Sequence, residues 1–343
     1  MQGCPEAKST SERYIEVFAG IAEFFISSWP FCSLRSTVSG SEFLTLPIRL
    51  SGVMHVTNAN ADLMSESRSK MKLLVLVVLF KIEPEVSESL LSLAAQRNSS
   101  SPHVLIWDNS PEPCSPESRE WIGINFSSYE YHHTPQNLPL SWIYNEVIDG
   151  WIKRGGSFSH LLLLDQDSIL EPTFLQTAAQ SIRDFPDVGL FLPLVKTNEH
   201  IVSPAYLFYF KGIFWRRARL GLIRFGFKTA INSGMIISSR YLLGKFPGYP
   251  NTLSFYGTDT WFCEQYAKDE KVAYVFDTTI HHDLSQFNAE NVDVKLWRHR
   301  EIIRATRIMN SVGFFRRQAC QFYMFLICMR MAFRFRDRRF FSC

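Results

Sequence analysis

Two carboxylates one residue apart, Asp165 and Asp167, follow the apolar run His160-Leu161-Leu162-Leu163-Leu164. Four consecutive leucines between polar neighbours read as a short strand buried on both faces. An acidic pair at the exit of such a strand lies where open α/β sheets bind ligands, just beyond the carboxyl ends of their strands. Hard oxygen donors at that place suit Mg²⁺ or Mn²⁺ holding a diphosphate. A solvated turn is the alternative, because Asp and Ser are common loop formers. Asp259 opens a helical segment, Asp259 to Lys268, behind Gly257 and Thr258. Gly257 permits a tight approach and Thr258 can cap the helix. Asp259 is then either a base or a cap acid stabilised by the helix dipole. Asp108-Asn109-Ser110-Pro111 is acidic too, and equally reads as a turn. His281-His282-Asp283 follows a strand over Lys271–Phe276, and vicinal histidines point opposite ways if that strand continues. At most one of them would face a metal. Asn232-Ser233-Gly234, between the apolar segments Phe227–Ile231 and Met235–Ser238, reads as a hairpin or bulge turn.

Positioning these residues requires a sheet. Lys72-Leu-Leu-Val-Leu-Val-Val-Leu-Phe80 is a buried strand, 84–97 reads as an amphipathic helix, and His103-Val-Leu-Ile-Trp107 is another strand. That alternation is the βαβ rhythm of a parallel sheet. Ser127–His133 is a weaker strand candidate. Pro139–Arg154 reads as a helix, with Trp142, Ile143, Val147, Trp151 and Ile152 on its apolar side and Gly155-Gly156 closing it. It delivers the chain into the leucine strand, so Asp108 and Asp165 should end along one edge of one sheet.

Trp107-Asp-Asn-Ser110, Leu162-Leu-Leu-Asp-Gln-Asp-Ser168, Tyr256-Gly-Thr-Asp-Thr-Trp261 and His281-His-Asp-Leu-Ser285, in that order, resemble glycosyltransferase family 2. The similarity covers residues 71–290 and is nearest in flavour to the rhamnosyltransferase-like branch, where Asp-Gln-Asp-Ser is a familiar metal motif. The resemblance implies an α/β fold of GT-A type: a nucleotide-binding sandwich with a mostly parallel central sheet, here with a C-terminal helical extension. It implies a metal-dependent hexosyltransferase that inverts the anomeric centre in one displacement. Its substrates would be a nucleotide-sugar donor and a saccharide or lipid-linked acceptor, in cell-surface polysaccharide synthesis. Rhamnose from a dTDP donor is the branch-level expectation. By the same resemblance Asp108, with Asn109 beside it, receives the N3–H of a uracil or thymine base. Asp165 and Asp167 fall on the metal motif, with Asp167 the direct ligand of Mg²⁺ or Mn²⁺ and Asp165 also on the nucleotide side. Asp259 falls on the general base, and His282 or its neighbour His281 lies near the metal. Asn232, Ser233 and Gly234, with Gly257 and Thr258, line the sugar and acceptor pocket. Leu79-Phe80-Lys81 replaces the usual Thr-Tyr-Asn-like strand end, and Asn137-Leu138-Pro139-Leu140-Ser141 stands where many relatives are glycine-rich. Both departures bear on the nucleotide and the donor sugar.

The chemistry asks for these residue types without any family name. A nucleotide diphosphate leaves readily only when a divalent cation balances its charge. A carboxylate on the opposite face of the sugar can take the proton of the attacking hydroxyl, which gives inversion. A metal-dependent phosphoesterase or hydrolase built from Asp165, Asp167, His281, His282 and Asp283 is a second class, but it would need a further ligand cluster early in the chain. An inactive sugar-binding relative is a third, against which the intact acidic set argues.

With 343 residues and a formal charge of +3, the chain suits one sizeable domain with appendages and gives no sign of a nucleic-acid partner. The cysteines at 4, 32, 114, 263, 320, 328 and 343 lack paired spacing, which excludes a disulfide framework and points to a reducing cytoplasm. No apolar run reaches the roughly 20 residues of a membrane span. Residues 1–70 are Ser-rich and aperiodic, an accessory extension or an upstream start ahead of Met71. Arg216, Arg217, Arg219 and Arg224 form a basic patch, more simply a solvated face than an anion site. Asp293 to Asn310 reads as a basic helix, and from Gly313 phenylalanines alternate with arginines. That mixture over 291–343 suits a helix lying in an anionic membrane interface, placing the protein at the inner face of the cell membrane. A helix packed on the catalytic domain with a charged tail is the alternative.

Overall fold

The computed structural model describes residues 72–96, 101–154, 158–197, 200–208, 210–282 and 291–343. The extension over 1–70, Arg97, Gly155-Gly156 and Asp283 lie outside these residues. Leu73–Leu79 (β1), His103–Asp108 (β2), Tyr129–His133 (β3) and His160–Asp165 (β4) pair in parallel in the order β3-β2-β1-β4. Alternate residues of β1 feed two cores. Leu74 and Leu76 face one side with Ile143 and Phe262, while Val75 and Val77 face the other with Leu90 and Phe174. Burial on both faces is what writes an uninterrupted apolar run. Leu79 pairs with Asp108 and Val78 with Asp165, so the two acidic strand ends do lie on one edge, with β1 between them.

The connections carry α1 (Glu88–Ala94), α2 (Pro116–Asn125) and α3 (Leu140–Val147). The expected helix over 84–97 is shorter, because a 3-10 turn at Pro84–Val86 ends at Ser87, whose side chain accepts from Leu90 N–H as the cap of α1. The expected helix over Pro139–Arg154 changes character at Ile148, continuing to Arg154 as a π-helix. The wider turn goes with the seating of Trp151 against His132 and Trp107, ring centroids 4.9 and 6.3 Å away.

Past β4 come β5 (Ser168–Leu170), α4 (Phe174–Asp184), β6 (Leu190–Thr197), β7 (His200–Phe208), β8 (Lys211–Trp215), β9 (Gly221–Arg224), β10 (Lys228–Thr229) and β11 (Ile236–Ser238). After α5 (Ser239–Gly244) and α6 (Thr258–Asp269), β12 (Val272–His282) completes the sheet. This half corrects the expectation of a mostly parallel sheet. β11 runs against both β4 and β6, β7 runs against β6, β8 and β10, and β12 is parallel to β6 alone. Short links such as those flanking β7 can only reverse the chain, whereas parallel pairing needs a crossover of about a dozen residues or more. The segments flanking Asn232–Gly234 are not a hairpin either, since β10 pairs with β7 while β11 pairs with β4 and β6.

The C-terminal region is helical, with α7 (Val292–Met309) and α8 (Phe314–Phe335), and belongs to the same compact unit as the sheet. Cys320, Met324, Cys328 and Ala332, spaced by four, form the buried face of α8; the first three cluster with Ile303 of α7. A closing turn at Arg338–Ser342 buries Phe340 completely, its ring 5.5 Å from both His299 and Phe335. Removing that ring leaves a cavity that α7 and α8 cannot close. Phe340→Ala should lower stability by about 3–5 kcal/mol in urea unfolding; a loss under about 1 kcal/mol would show that the turn is not part of the cooperative unit.

Candidate active site

The acidic turn after β4 is held by hydroxyl groups. Ser89 of α1 donates its hydroxyl to the carbonyls of Asp165 and Ser168 and accepts from Ser168 N–H at 2.9 Å. Ser87 donates to the Gln166 carbonyl at 2.8 Å, and the Gln166 side chain accepts from Phe80 N–H at 2.7 Å. Ser87, Ser89 and Ser168 are fully buried, while Asp165 and Asp167 keep part of their surface open. The backbone of the turn is thus fixed from inside.

The Asn232–Gly234 turn docks directly on this motif. Ser233, itself buried, accepts from Asp165 N–H at 3.1 Å and bonds the Ser168 hydroxyl, and Gly234 N–H reaches the Leu163 carbonyl at 2.8 Å. Gly234 has φ +91°, and a Cβ there would stand 2.5 Å from Ile280 and 2.6 Å from Pro193. Only glycine satisfies both conditions. Asn232 donates to the Thr258 hydroxyl at 2.9 Å, tying this turn to the start of α6. Thr258 is therefore not the helix cap. Gly257, at φ +84°, takes that position with no side chain to offer, and Thr258 in the first turn spends its hydroxyl on Asn232.

Tyr144, on the buried face of α3, is the residue the motifs did not reveal. Burial first, then the charges of Asp165, Tyr249 and Asp259, push its hydroxyl well above the ordinary tyrosine range, opposed by a hydrogen bond from Asn232. Both carboxylates are therefore within electrostatic reach of one neutral phenol. Asp259 keeps some solvent contact but has protein packed around it, and burial raises its carboxyl above the usual aspartate range. The Thr260 N–H and hydroxyl, at 2.6 and 3.3 Å, oppose that shift.

Asp259 lies on the wall of a cavity of about 280 Å³. Thr260 and Glu264 of α6, the β7–β8 hairpin, the 229–231 segment, Tyr256-Gly257, α7 and Asn310 supply the rest of the wall. A second cavity, of about 320 Å³, lies at the ends of β1 and β2 between Lys81, Glu83, Asp108 and Glu112. Asp108 is buried, and its oxygens accept from Ser110 N–H (3.0 Å), Cys114 N–H (3.1 Å) and the Tyr131 hydroxyl (2.6 Å). Asn109 uses its side chain on Thr134, Asn137 and Leu138, clamping the 134–138 loop. β12 runs through both histidines: the backbone of His282 pairs with Ser168, next to Asp167, and His281 is exposed to solvent. The side chain of His282 is outside the described residues. Arg216, Arg217, Arg219 and Arg224 are solvent-exposed.

No family model and no curated protein sequence matches this chain. Solved structures do match. GalNAc-T7, solved with UDP, GalNAc and Mn²⁺, superposes with a TM-score of 0.50 at 8% identity, over 70% of this chain and 48% of that one. TarS 1–349 from S. aureus with UDP-GlcNAc gives a TM-score of 0.46 at 14% identity, over 69% and 66% of the two chains. A longer structure of S. aureus TarS gives 0.48 at 14% identity, over 70% and 42%. The fold is of the GT-A type. The match spans less than two thirds of each of these solved chains.

On that fold, the residues beyond β4 can be tested against a divalent cation. Among the described residues no group of three His, Cys, Asp or Glu side chains converges as a metal cage. Mg²⁺ does not require one, since it is commonly held by one or two carboxylates plus substrate phosphates and water. Two partly open carboxylates on a rigid turn fit that mode. The rigidity of the turn is itself measurable. Gly234→Ala should cost about 2–4 kcal/mol, from left-handed backbone strain plus overpacking against Ile280 and Pro193. Thermal unfolding checks this, and an unchanged midpoint would mean that the turn is not tightly docked.

Proposed function

We propose that the chain is an inverting glycosyltransferase using a nucleotide-diphosphate sugar. The observation that supports this reading is the hydrogen-bonded path from Asp165 through Ser233 and Asn232 to Thr258, next to Asp259, at one edge of a GT-A sheet, with a cavity lined by Asp259. A fold neighbour solved with UDP, GalNAc and Mn²⁺ supports the donor class. In this reading a pyrimidine occupies the cavity at Asp108, and the motif resemblance favours dTDP-rhamnose as the donor. Asp167 and Asp165 would hold Mg²⁺ or Mn²⁺, with His282 the adjacent candidate, and the ion when bound neutralises the leaving diphosphate. The sugar rests at Asn232–Gly234. The acceptor oxygen attacks the anomeric carbon as its bond to the diphosphate breaks, and the hydroxyl proton passes to Asp259. Thr258 holds Asn232 in place by accepting its side-chain N–H.

The acceptor is a saccharide or a lipid-linked saccharide, and we place the enzyme peripherally at the inner face of the cell membrane. Support comes from the outer face of α8, where Phe315, Phe322, Phe325, Leu326 and Phe333 are exposed, Phe315 by 86% and Phe333 by 70%. Arg316, Arg317, Arg330 and Arg334 accompany them, and α8 carries no acidic residue. An apolar stripe beside arginines suits an anionic interface. No helix among the described residues is long and apolar enough to cross a membrane.

Titration with UDP and dTDP, with and without Mn²⁺, tests the donor site: metal-dependent binding should be lost in Asp167→Ala, and indifference to nucleotide would favour the hydrolase reading. Asp259→Asn should retain donor binding while lowering turnover about a hundred- to ten-thousandfold; retained turnover rules out the base. The folded pKa of Asp259 is raised, so its contribution to stability is present below the ordinary aspartate pKa of about 3.9 and is lost as pH rises through the folded value. The base must be ionised, so the acid limb of activity should lie above the ordinary aspartate range. For the membrane reading, Phe322→Glu with Phe333→Glu should abolish co-sedimentation with phosphatidylglycerol vesicles while helicity by circular dichroism is unchanged. Undiminished sedimentation would exclude α8 as the contact.

A further inference from the structure

The cavity beside Asp259 has two kinds of wall. Asp259, Thr260 and Glu264 of α6 make one side polar. Ala205 and Leu207 of β7, Phe214 of β8, and Ile302, Ala305 and Met309 of α7 make the larger share apolar, with Thr229, Tyr256, Thr306 and Asn310 as further polar points. A hydroxyl-rich acceptor filling this space would turn polar groups toward aliphatic and aromatic carbon, and each unpaired group carries a desolvation cost. A single hydroxyl at Asp259 on an otherwise apolar body meets no such cost.

The rim of this cavity is tied to α8. Arg316, in the first turn of that helix, bonds Glu264 at 2.9 Å and Asn310 at 2.5 Å, and both partners line the cavity. Phe210, also in the lining, packs its ring 5.6 Å from Tyr323 of α8. The cavity and the helix with the exposed aromatic face therefore share residues. Phe314 and Phe315 stand beside Arg316 at 71% and 86% exposure, so the apolar surface continues past the rim.

Resting on the reading of Asp259 as the base, we propose that the acceptor is an amphiphile. Its hydroxylated head meets Asp259, and a prenyl- or acyl-type chain runs along the β7 and α7 walls toward α8. Its oxygen replaces the diphosphate oxygen at the anomeric carbon, and its proton moves to the Asp259 carboxylate.

Alkyl β-glucosides of fixed head group and growing chain, from methyl to octyl, test this below their micelle concentrations. Calorimetric binding to the full chain is measured without donor. Burial of a methylene strengthens binding roughly fourfold, so octyl glucoside should bind at least about a hundredfold tighter than methyl glucoside. Ile302→Arg should remove that advantage, and Phe214→Ser, at a position exposed by 42%, should reduce it. Equal binding of the two glucosides overturns the proposal. So does octyl binding that survives both variants and is lost in the Phe322→Glu, Phe333→Glu protein, because the chain then sits on the outer face of α8. Failure of the protein to bind UDP or dTDP would instead sink the transferase reading, and chain-length dependence would still report on the cavity.

Discussion

The structure depends most on the burial of a few hydroxyl groups beneath the Asp165–Ser168 turn. A tight turn at a strand exit leaves carbonyls and N–H groups unpaired, and in a buried setting each such group costs about 1–3 kcal/mol. Ser87 and Ser89 from α1 and Ser233 from the 232–234 turn satisfy them from below. The consequence is geometric. With its inner side satisfied, the turn holds a fixed backbone course while Asp165 and Asp167 stay partly open to solvent. Asp108 shows the opposite solution, because its carboxylate is what organises its loop, receiving Ser110, Cys114 and Tyr131. Two acidic strand ends on one edge thus differ in exposure, Asp108 being buried and Asp165 partly open.

From the pinned turn, a short polar path leads to Asp259. Ser233 holds Asp165, the next residue Asn232 holds Thr258, and Thr258 precedes Asp259. Tyr144 is buried on α3 with its ring 5.3 Å from that of Tyr249, and burial pushes its hydroxyl well above the ordinary tyrosine range. Gly257 completes the arrangement by backbone shape alone. Its φ of +84° and the 3.0 Å approach of Ala305 to the place of a Cβ let α7 close over the start of α6. Burial raises the Asp259 carboxyl above the usual aspartate range, because desolvation disfavours its charged form.

Much of the sheet was legible because burial on both faces leaves a direct trace in composition. Leu73–Leu79 and His160–Leu164 could hardly be anything but central strands, and their βαβ spacing fixed the common edge for Asp108 and Asp165. Strand direction in the second half was not legible, since apolar runs look the same in either sense and only loop length and pairing decide it. The hydroxyl pins were invisible for a different reason. Ser87, Ser89 and Ser233 sit among many serines, and nothing local distinguishes one that bonds a distant turn from one that faces water. Tyr144 was hidden in an apolar helix stripe, where a tyrosine reads as packing. Its signal, if any, was a lone hydroxyl on the helix that enters the leucine strand. Thr258 misled because the residue before a helix acid is usually its cap, and here glycine took that place so that the hydroxyl could serve Asn232.

The C-terminal helices change what counts as the candidate site. The motif-bearing segment ends at residue 290, yet Ile302, Ala305, Thr306 and Met309 of α7 wall the cavity at Asp259, and Arg316 of α8 bonds two more of its residues. A packed appendage needs one apolar face, and α8 meets that need with Cys320, Met324, Cys328 and Ala332. Its second apolar face, through Phe315, Phe322, Leu326 and Phe333, exposes large hydrophobic area to solvent, with Phe333 near Phe341 of the closing turn. The two faces are on one rigid helix, so whatever surface seats the outer one sets the position of Arg316 and hence of Glu264 and Asn310 at the cavity rim. The basic C-terminal region is thus joined to the candidate site through Arg316 rather than merely appended to the sheet.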